Sequence, residues 1–174
     1  IIVEANNNTA LYWSTRTILH ILQTNDMSIP KGLTRDYPKW EVRGLLLDVG
    51  RKTFTFDFVE QLSREMSWYK LNDFQVHLND NFIFLELYDQ TGEDKFEAYS
   101  GYRLESDIEG LANEDVFYTK DQFRSFIKDS RIRGMNIVPE IDVPAHSLAF
   151  TKVRPDLALG TVGRQIDHLD VTNP

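Results

Sequence analysis

The 174-residue chain contains no cysteine. Disulfide staples, thiolate-bound metals and a cysteine nucleophile are therefore excluded. Positive charge is also short: 19 Lys and Arg stand against 27 Asp and Glu, a formal net charge of −8 at pH 7. A phosphate backbone needs a basic patch, so a nucleic-acid partner is not expected. No apolar run approaches the roughly 20 residues that cross a bilayer, so no membrane span is expected. The opening "IIVEANNNTA" has neither an initiator Met nor a basic stretch, and no signal peptide is expected in it. What remains is 41% hydrophobic and 26% charged, the balance of a globular domain or of a piece of a larger one.

Apolar spacing divides the chain into elements. Ile1–Ala5 reads as the end of a strand, and "TALYWSTRTILHILQ" (9–23) carries its apolar residues on one helical face. Residues 25–39, with Pro30, Gly32 and Pro38, read as a loop and a domain boundary. Beyond it, "VRGLLLDV" (42–49), "LNDFQVHLND" (71–80) and "MNIVPEIDV" (135–143) read as strands. They alternate with helices at "DFVEQLSREMSWYK" (57–70) and "YTKDQFRSFIKDSRIRG" (118–134), the second opening on a Thr119/Gln122 capping box. Trp68 and Tyr69 read as core packing. Alternating apolar strands and amphipathic helices imply β-α units around a parallel sheet. Residues 79–116 form a long polar insertion, of a length that is functional or carries small elements of its own. Three such units are too few to close a barrel, and their open edges call for a covering partner.

Polar groups gather at the strand ends. Asp48 closes the first strand and Arg51 follows; His77, Asn79 and Asp80 close the second; Glu140 and Asp142 lie on the third, with His146 just beyond. In parallel α/β folds the C-terminal strand ends form the functional face. Glu140 and Asp142, two apart, are expected on one strand face, and two neighbouring carboxylates need cations nearby. Arg43, Arg51, His77 and His146 are candidate partners. Plainer readings stand beside these: Asp48 with Arg51 as a structural ion pair, His77 as a satisfied core histidine, Glu140 as a buried structural acid, "NDN" (79–81) as a turn and Arg43 as a structural arginine. A metal set of His77, Asp80, Asp142 and His146 is conceivable, but no HExxH or HxH spacing supports it, and no metal or cofactor is expected.

Taken together and in order, "VRGLLLDVGR" (42–51), "LNDFQVHLND" (71–80) and "GMNIVPEIDVPAH" (134–146) resemble glycoside hydrolase family 20, the β-N-acetylhexosaminidases and lacto-N-biosidases. "LDVTNP" (169–174) resembles the family's segment after its third strand. Residues 1 to about 24 resemble the end of the small α+β domain that precedes the family's barrel. The resemblance implies an α/β chain. Residues 1–30 would end the small domain, and residues 40–174 would begin a (β/α)8 TIM barrel with about its first three strands.

It also implies a retaining glycosidase that removes terminal N-acetylhexosamine from glycans. Catalysis would be substrate-assisted: the sugar's 2-acetamido oxygen attacks the anomeric carbon, served by an adjacent Asp-Glu pair. By position, the resemblance assigns Arg43 to sugar hydroxyls. It assigns Asp80 and His146 to a network that orients the acid Glu, a supporting role to Glu140 and Asp142, and a structural role to Asp48 and Arg51. The remainder of the barrel, or another copy of the chain, would cover the open edges. A long insertion like "EAYSGYRLESDI" (97–108) resembles bacterial surface members and suggests an extracellular or cell-surface setting.

Several departures accompany the resemblance. The family's "HLTDDQGW"-like stretch is "HLNDNFIF" (77–84), Lys52 replaces a histidine and Ala145 a glycine. No Asp-Glu dipeptide occurs in the sequence, so the chain is expected not to catalyse the reaction alone. A glycan-binding or degenerate module and a metal-dependent barrel hydrolase are the competing readings.

Overall fold

A computed structural model describes residues 1–91, 94–160 and 165–172. The elements follow in chain order: α1 (Asn8–Thr24), β1 (Gly44–Asp48), α2 (Phe56–Trp68), β2 (Asp73–His77), β3 (Asn79–Asn81), α3 (Glu86–Thr91), β4 (Ser100–Tyr102), α4 (Lys120–Ile132), β5 (Asn136–Glu140) and α5 (Leu148–Val153). β1, β2 and β5 form a parallel sheet in that order. Its register aligns Asp48 with His77 and His77 with Glu140 at the C-terminal edge. α2 connects β1 to β2, and α4 precedes β5, so the expected β-α alternation is present. The chain is α/β, with three strands of a partial barrel.

Side-chain alternation gives this sheet two unlike faces. Phe74, Val76 and Ile137 point towards the helices and are buried with Val59, Met66, Phe123, Phe126 and Met135. Phe126 is 1% exposed and meets Phe74, Phe56 and Phe123 edge-on. Between α2 and α4 the hydroxyls of Ser63 and Ser130 pair at 3.2 Å, satisfying two buried groups at a close helix approach. On the other face Leu46 and Val138 remain 49% and 38% exposed, where further barrel strands would face them.

Local signals place the helix ends. Thr119 accepts from the Gln122 amide while the Gln122 side chain accepts from the Thr119 N–H. That reciprocal cap contributes about 1 kcal/mol. Gly134 stops the chain after α4 with φ +73°. It also lies against α1, where a Cβ would meet Thr9 Cγ2 at 2.5 Å. α1 packs along the helical layer: Tyr12 reaches Ser67 at 3.3 Å and His20 stacks edge-on against Trp68. Residues 1–30 therefore contact α2 directly.

Some expectations need correction. Ile1–Ala5 form no strand, because no neighbouring chain segment among the described residues offers them a ladder. The stretch 71–80 is not one strand: β2 ends at His77, and Asn79–Asn81 turns into a second, antiparallel sheet with β4. β5 ends at Glu140, so Asp142 lies in the following loop and strand alternation does not orient it. Tyr69 is 66% exposed, at the end of α2 rather than in the core. The insertion carries α3, β4 and a 3₁₀ turn at Lys95–Glu97. Of "LDVTNP", the last two residues lie outside the described residues.

Removing the Phe126 ring should leave a cavity at the centre of this layer. Phe126→Ala is expected to cost about 3–5 kcal/mol. Urea unfolding should show a lower midpoint at unchanged slope; a midpoint equal to wild type would contradict this account of the core.

Candidate active site

The sequence places polar residues where β1, β2 and β5 end, and parallel register brings those ends to one rim. Asp80 is its centre, at 1% exposure. Its carboxylate has four donors. Oδ2 lies 2.7 Å from His77 Nε2 and 2.8 Å from Arg51 Nη2. Oδ1 lies 2.7 Å from His146 Nδ1 and accepts from the Asn81 backbone N–H at 2.7 Å. A buried carboxylate without such partners would be costly, and here both oxygens are saturated.

Arg51 bridges two acids. It donates through Nη1 to Asp48 Oδ2 at 2.9 Å and through Nη2 to Asp80, and its backbone N–H donates to Asp48 Oδ1. Its Nε reaches the Asn81 carbonyl at 3.3 Å. Asp48 with Arg51 is an ion pair, as expected, yet it is part of the rim cluster and not separate from it.

His77 sits between two carboxylates, with Nε2 facing Asp80 and Nδ1 3.1 Å from Glu140 Oε2. Only the imidazolium can donate to both at once. Burial opposes that charge, but hydrogen bonds to Asp80 and Glu140 outweigh it and raise the His77 pKa above its ordinary value. Glu140 is further fixed by Gln75 Nε2 at 2.6 Å.

His146 has φ +55°, in the left-handed region that a non-glycine residue seldom occupies. The loop before it is tied down by Asn79. Its amide donates to the carbonyls of Asp142 and His146, both at 3.0 Å, and its oxygen accepts from the Asp142 N–H at 2.8 Å. Asp80 Oδ1, which also accepts from the Asn81 N–H, lies 2.7 Å from His146 Nδ1, closer than Arg51 Nη2 at 3.2 Å, so the hydrogen-bond network assigns a proton to His146 Nδ1. Nε2 then faces outward, 4.0 Å from Asp142 Oδ2, on a side chain 40% exposed. A histidine oriented by a buried carboxylate in this way can exchange a hydrogen bond or a proton with an incoming group.

The structure thus brings Asp48, Arg51, Asp80, Glu140, Asp142 and His146 together. It does not bring Arg43. That residue precedes β1 at the strand's N-terminal end, five strand residues before the rim, or about 16 Å at ~3.3 Å per residue. Its guanidinium donates to the carbonyls of Lys70, Trp40 and Glu41 and lies 4.7 Å above the Trp13 ring. His77 is buried as a core histidine would be, but it also joins the rim acids. Asn79, fully buried, is more than a turn residue; its place directly before Asp80 was the available signal.

Among the described residues, two sets present metal-ligating atoms within 4.8 Å of one another, Asp48/His77/Asp80 and His77/Glu140/Asp142. Arg51 already supplies the positive charge between Asp48 and Asp80, and both His77 nitrogens face carboxylates. The donor set fits a hydrogen-bonded cation better than a metal. Beside the rim, Arg51, Asn81, Phe82, Ile83, Phe84 and Tyr99 line an open cleft of about 210 Å³. No helix among the described residues is long and apolar enough to cross a membrane.

Residues 40–172 match the family described as "Glycosyl hydrolase family 20, catalytic domain". The chain is similar to a beta-hexosaminidase of Vibrio furnissii, 28% identical over 160 residues that cover 88% of this chain and 26% of that protein. Among solved structures it resembles the Flavobacterium johnsoniae chitobiase, with 30% identity, a TM-score of 0.58, and coverage of 75% of this chain and 18% of that one. It shares the fold of a beta-N-acetylhexosaminidase from Bacteroides fragilis NCTC 9343, with a TM-score of 0.70 at 22% identity over 97% of this chain and 34% of that one. The chain spans about a quarter or less of the length of its curated relatives.

The His77 charge makes a testable link to pH. Its folded-state pKa lies above the ordinary value of about 6.5, so its contribution to stability is fully present below that pH. The contribution is lost as pH rises through the folded-state pKa. Denaturant midpoints should fall on going from about pH 6 to pH 8, and His77→Gln should flatten that fall; an equally steep fall in the variant would contradict the assignment.

Proposed function

The chain belongs to glycosyl hydrolase family 20, and from that premise we propose that it forms part of a retaining glycosidase that removes terminal N-acetylhexosamine from glycans. The observation that carries this reading is the Asp80–His146 pair at 2.7 Å on the strand rim. In the substrate-assisted scheme the sugar's acetamido oxygen attacks the anomeric carbon, and a carboxylic acid protonates the departing oxygen. With its Nδ1 proton held by Asp80, His146 presents Nε2 to that acid, tuning and orienting it. The sequence holds no Asp-Glu pair, so the acid and its partner would come from other residues of the whole protein.

Arg51, not Arg43, is the arginine this reading assigns to the sugar. A guanidinium has five N–H donors. Asp48, Asp80 and the Asn81 carbonyl engage three of them in Arg51. A fourth N–H, on Nη2, faces His146 Nδ1 at 3.2 Å, which leaves one for a hydroxyl, and the side chain is 33% exposed at the rim. Arg43 is held by backbone carbonyls at the other end of the strand.

The test is hydrolysis of a chromogenic N-acetyl-β-glucosaminide by the full-length protein. His146→Ala should lower kcat about 10²-fold, and Arg51→Met should lower kcat/KM about 10²-fold or more. Folded Arg43→Met should stay within about threefold of wild type, because a residue that does not touch the sugar changes neither binding nor rate much. Activity should survive a chelator. Saccharide binding without turnover would support the degenerate-module reading instead, and a wild-type rate for His146→Ala would remove the His146 role.

A further inference from the structure

Arg103 is a fully buried arginine that the reading above does not use; its exposure is 0%. A buried cation is costly unless its charge and all its donors are met. Arg103 meets this condition with three separate segments. Nε donates to the Val49 carbonyl at 2.8 Å, and Nη2 to the Gly50 carbonyl at 3.3 Å and Thr53 Oγ1 at 3.1 Å. Nη1 donates to Asp115 Oδ1 at 2.8 Å and to the Val116 carbonyl at 3.1 Å. Nη2 also donates to the Tyr99 hydroxyl. Thr53 in turn donates to Asp115 Oδ2 at 3.2 Å, so the counter-ion is fixed as well.

Residues 49–53 form the segment that leaves β1 and carries Arg51. The same segment is pressed between backbones. A Cβ on Gly50 would stand 2.6 Å from the Asp80 nitrogen. A Cβ on Gly101 would run into the Gly50 carbonyl. Gly101 is paired with Asp80 across the β3–β4 ladder. The insertion therefore stacks directly on the peptide that joins Asp48 to Arg51, and Arg103 locks it there.

We propose that Arg103 is a positioning residue: it sets where Arg51 stands relative to Asp80 and His146, without touching substrate itself. The planar fork matters, because its donors span carbonyls on one side and Asp115 with Val116 on the other. A lysine ammonium is a point charge that cannot span both. This proposal rests on the glycosidase reading for its kinetic test, but not for its spectroscopic one.

In the full-length protein, Arg103→Lys should lower kcat/KM by about 10-fold or more, the scale of a misplaced rim group. In an Arg51→Met background the same change should cost less than about twofold, because the two residues act through one path. Equal losses in both backgrounds would show that Arg103 acts only on general stability, and would overturn the proposal. If Arg103→Lys does not fold, Tyr99→Phe and Thr53→Val remove acceptors while keeping the cation, and should show the same non-additivity, smaller in size. Arginine-labelled protein gives the second readout. The Arg51 Nε–H resonance should move, and exchange with water about 10-fold faster, in the Arg103 or Tyr99 variant. An unchanged Arg51 signal overturns the positioning role even where no sugar is hydrolysed; absence of hydrolysis with a shifted signal overturns only the glycosidase reading.

Discussion

A single buried carboxylate, Asp80, organises the rim. It cannot sit at 1% exposure without compensation, and its four donors come from three different chain segments. Arg51 arrives from the segment after β1, His77 from the end of β2, His146 from the loop after β5, and the last donor from the backbone next to Asp80. Removing a partner of a buried charge costs about 3–5 kcal/mol, more than an average single substitution. The rim residues therefore stand or fall together, and each strand end is fixed by a common requirement to satisfy Asp80. The parallel register that aligns Asp48, His77 and Glu140 supplies the geometry; the carboxylate supplies the reason for cations to converge there.

That requirement also accounts for the insertion. Asp80 lies in β3, outside the parallel sheet, and β3 needs a ladder partner to hold its backbone. β4 provides it, and the close approach of Gly50 to the Asp80 amide leaves no room for side chains at Gly50 or Gly101. Arg103 follows directly on β4 and closes the arrangement by donating to the carbonyls of Val49, Gly50 and Val116. A segment that looks like a polar excursion is thus built into the rim.

How much of this was legible follows from the range of each interaction. β1, β2 and β5 are apolar runs bounded by helices with clear periodicity, and the Thr119 cap is a four-residue pattern, so both were readable from local sequence. Strand direction then placed Asp48, Asp80, Glu140 and His146 on one rim. The same logic places Arg43, which precedes β1, at the opposite end of the strand from Arg51, which follows it. Asp142 was assigned by strand alternation, but the strand ends two residues earlier and Asn79 sets the loop instead. Arg103 was not legible, because beyond its ion pair with Asp115 it donates to carbonyls about fifty residues away, and any sequence supplies carbonyls. Long-range donors to backbone leave no pattern to read.

The charge balance of the rim bears on what it can receive. Asp48, Asp80, Glu140 and Asp142 face one obligate cation, Arg51, and two histidines. Even with both histidines protonated the acids remain in excess by one. An anionic ligand would add to that excess in a partly desolvated site, where like charges are poorly screened. A neutral hydroxyl adds no charge: it can donate to a carboxylate or imidazole nitrogen and accept from the remaining Arg51 N–H. The excess of acids thus disfavours a phosphate or carboxylate at the same place. Net charge alone only argued against nucleic acid; the arrangement of the charges extends that to any anionic ligand at the rim.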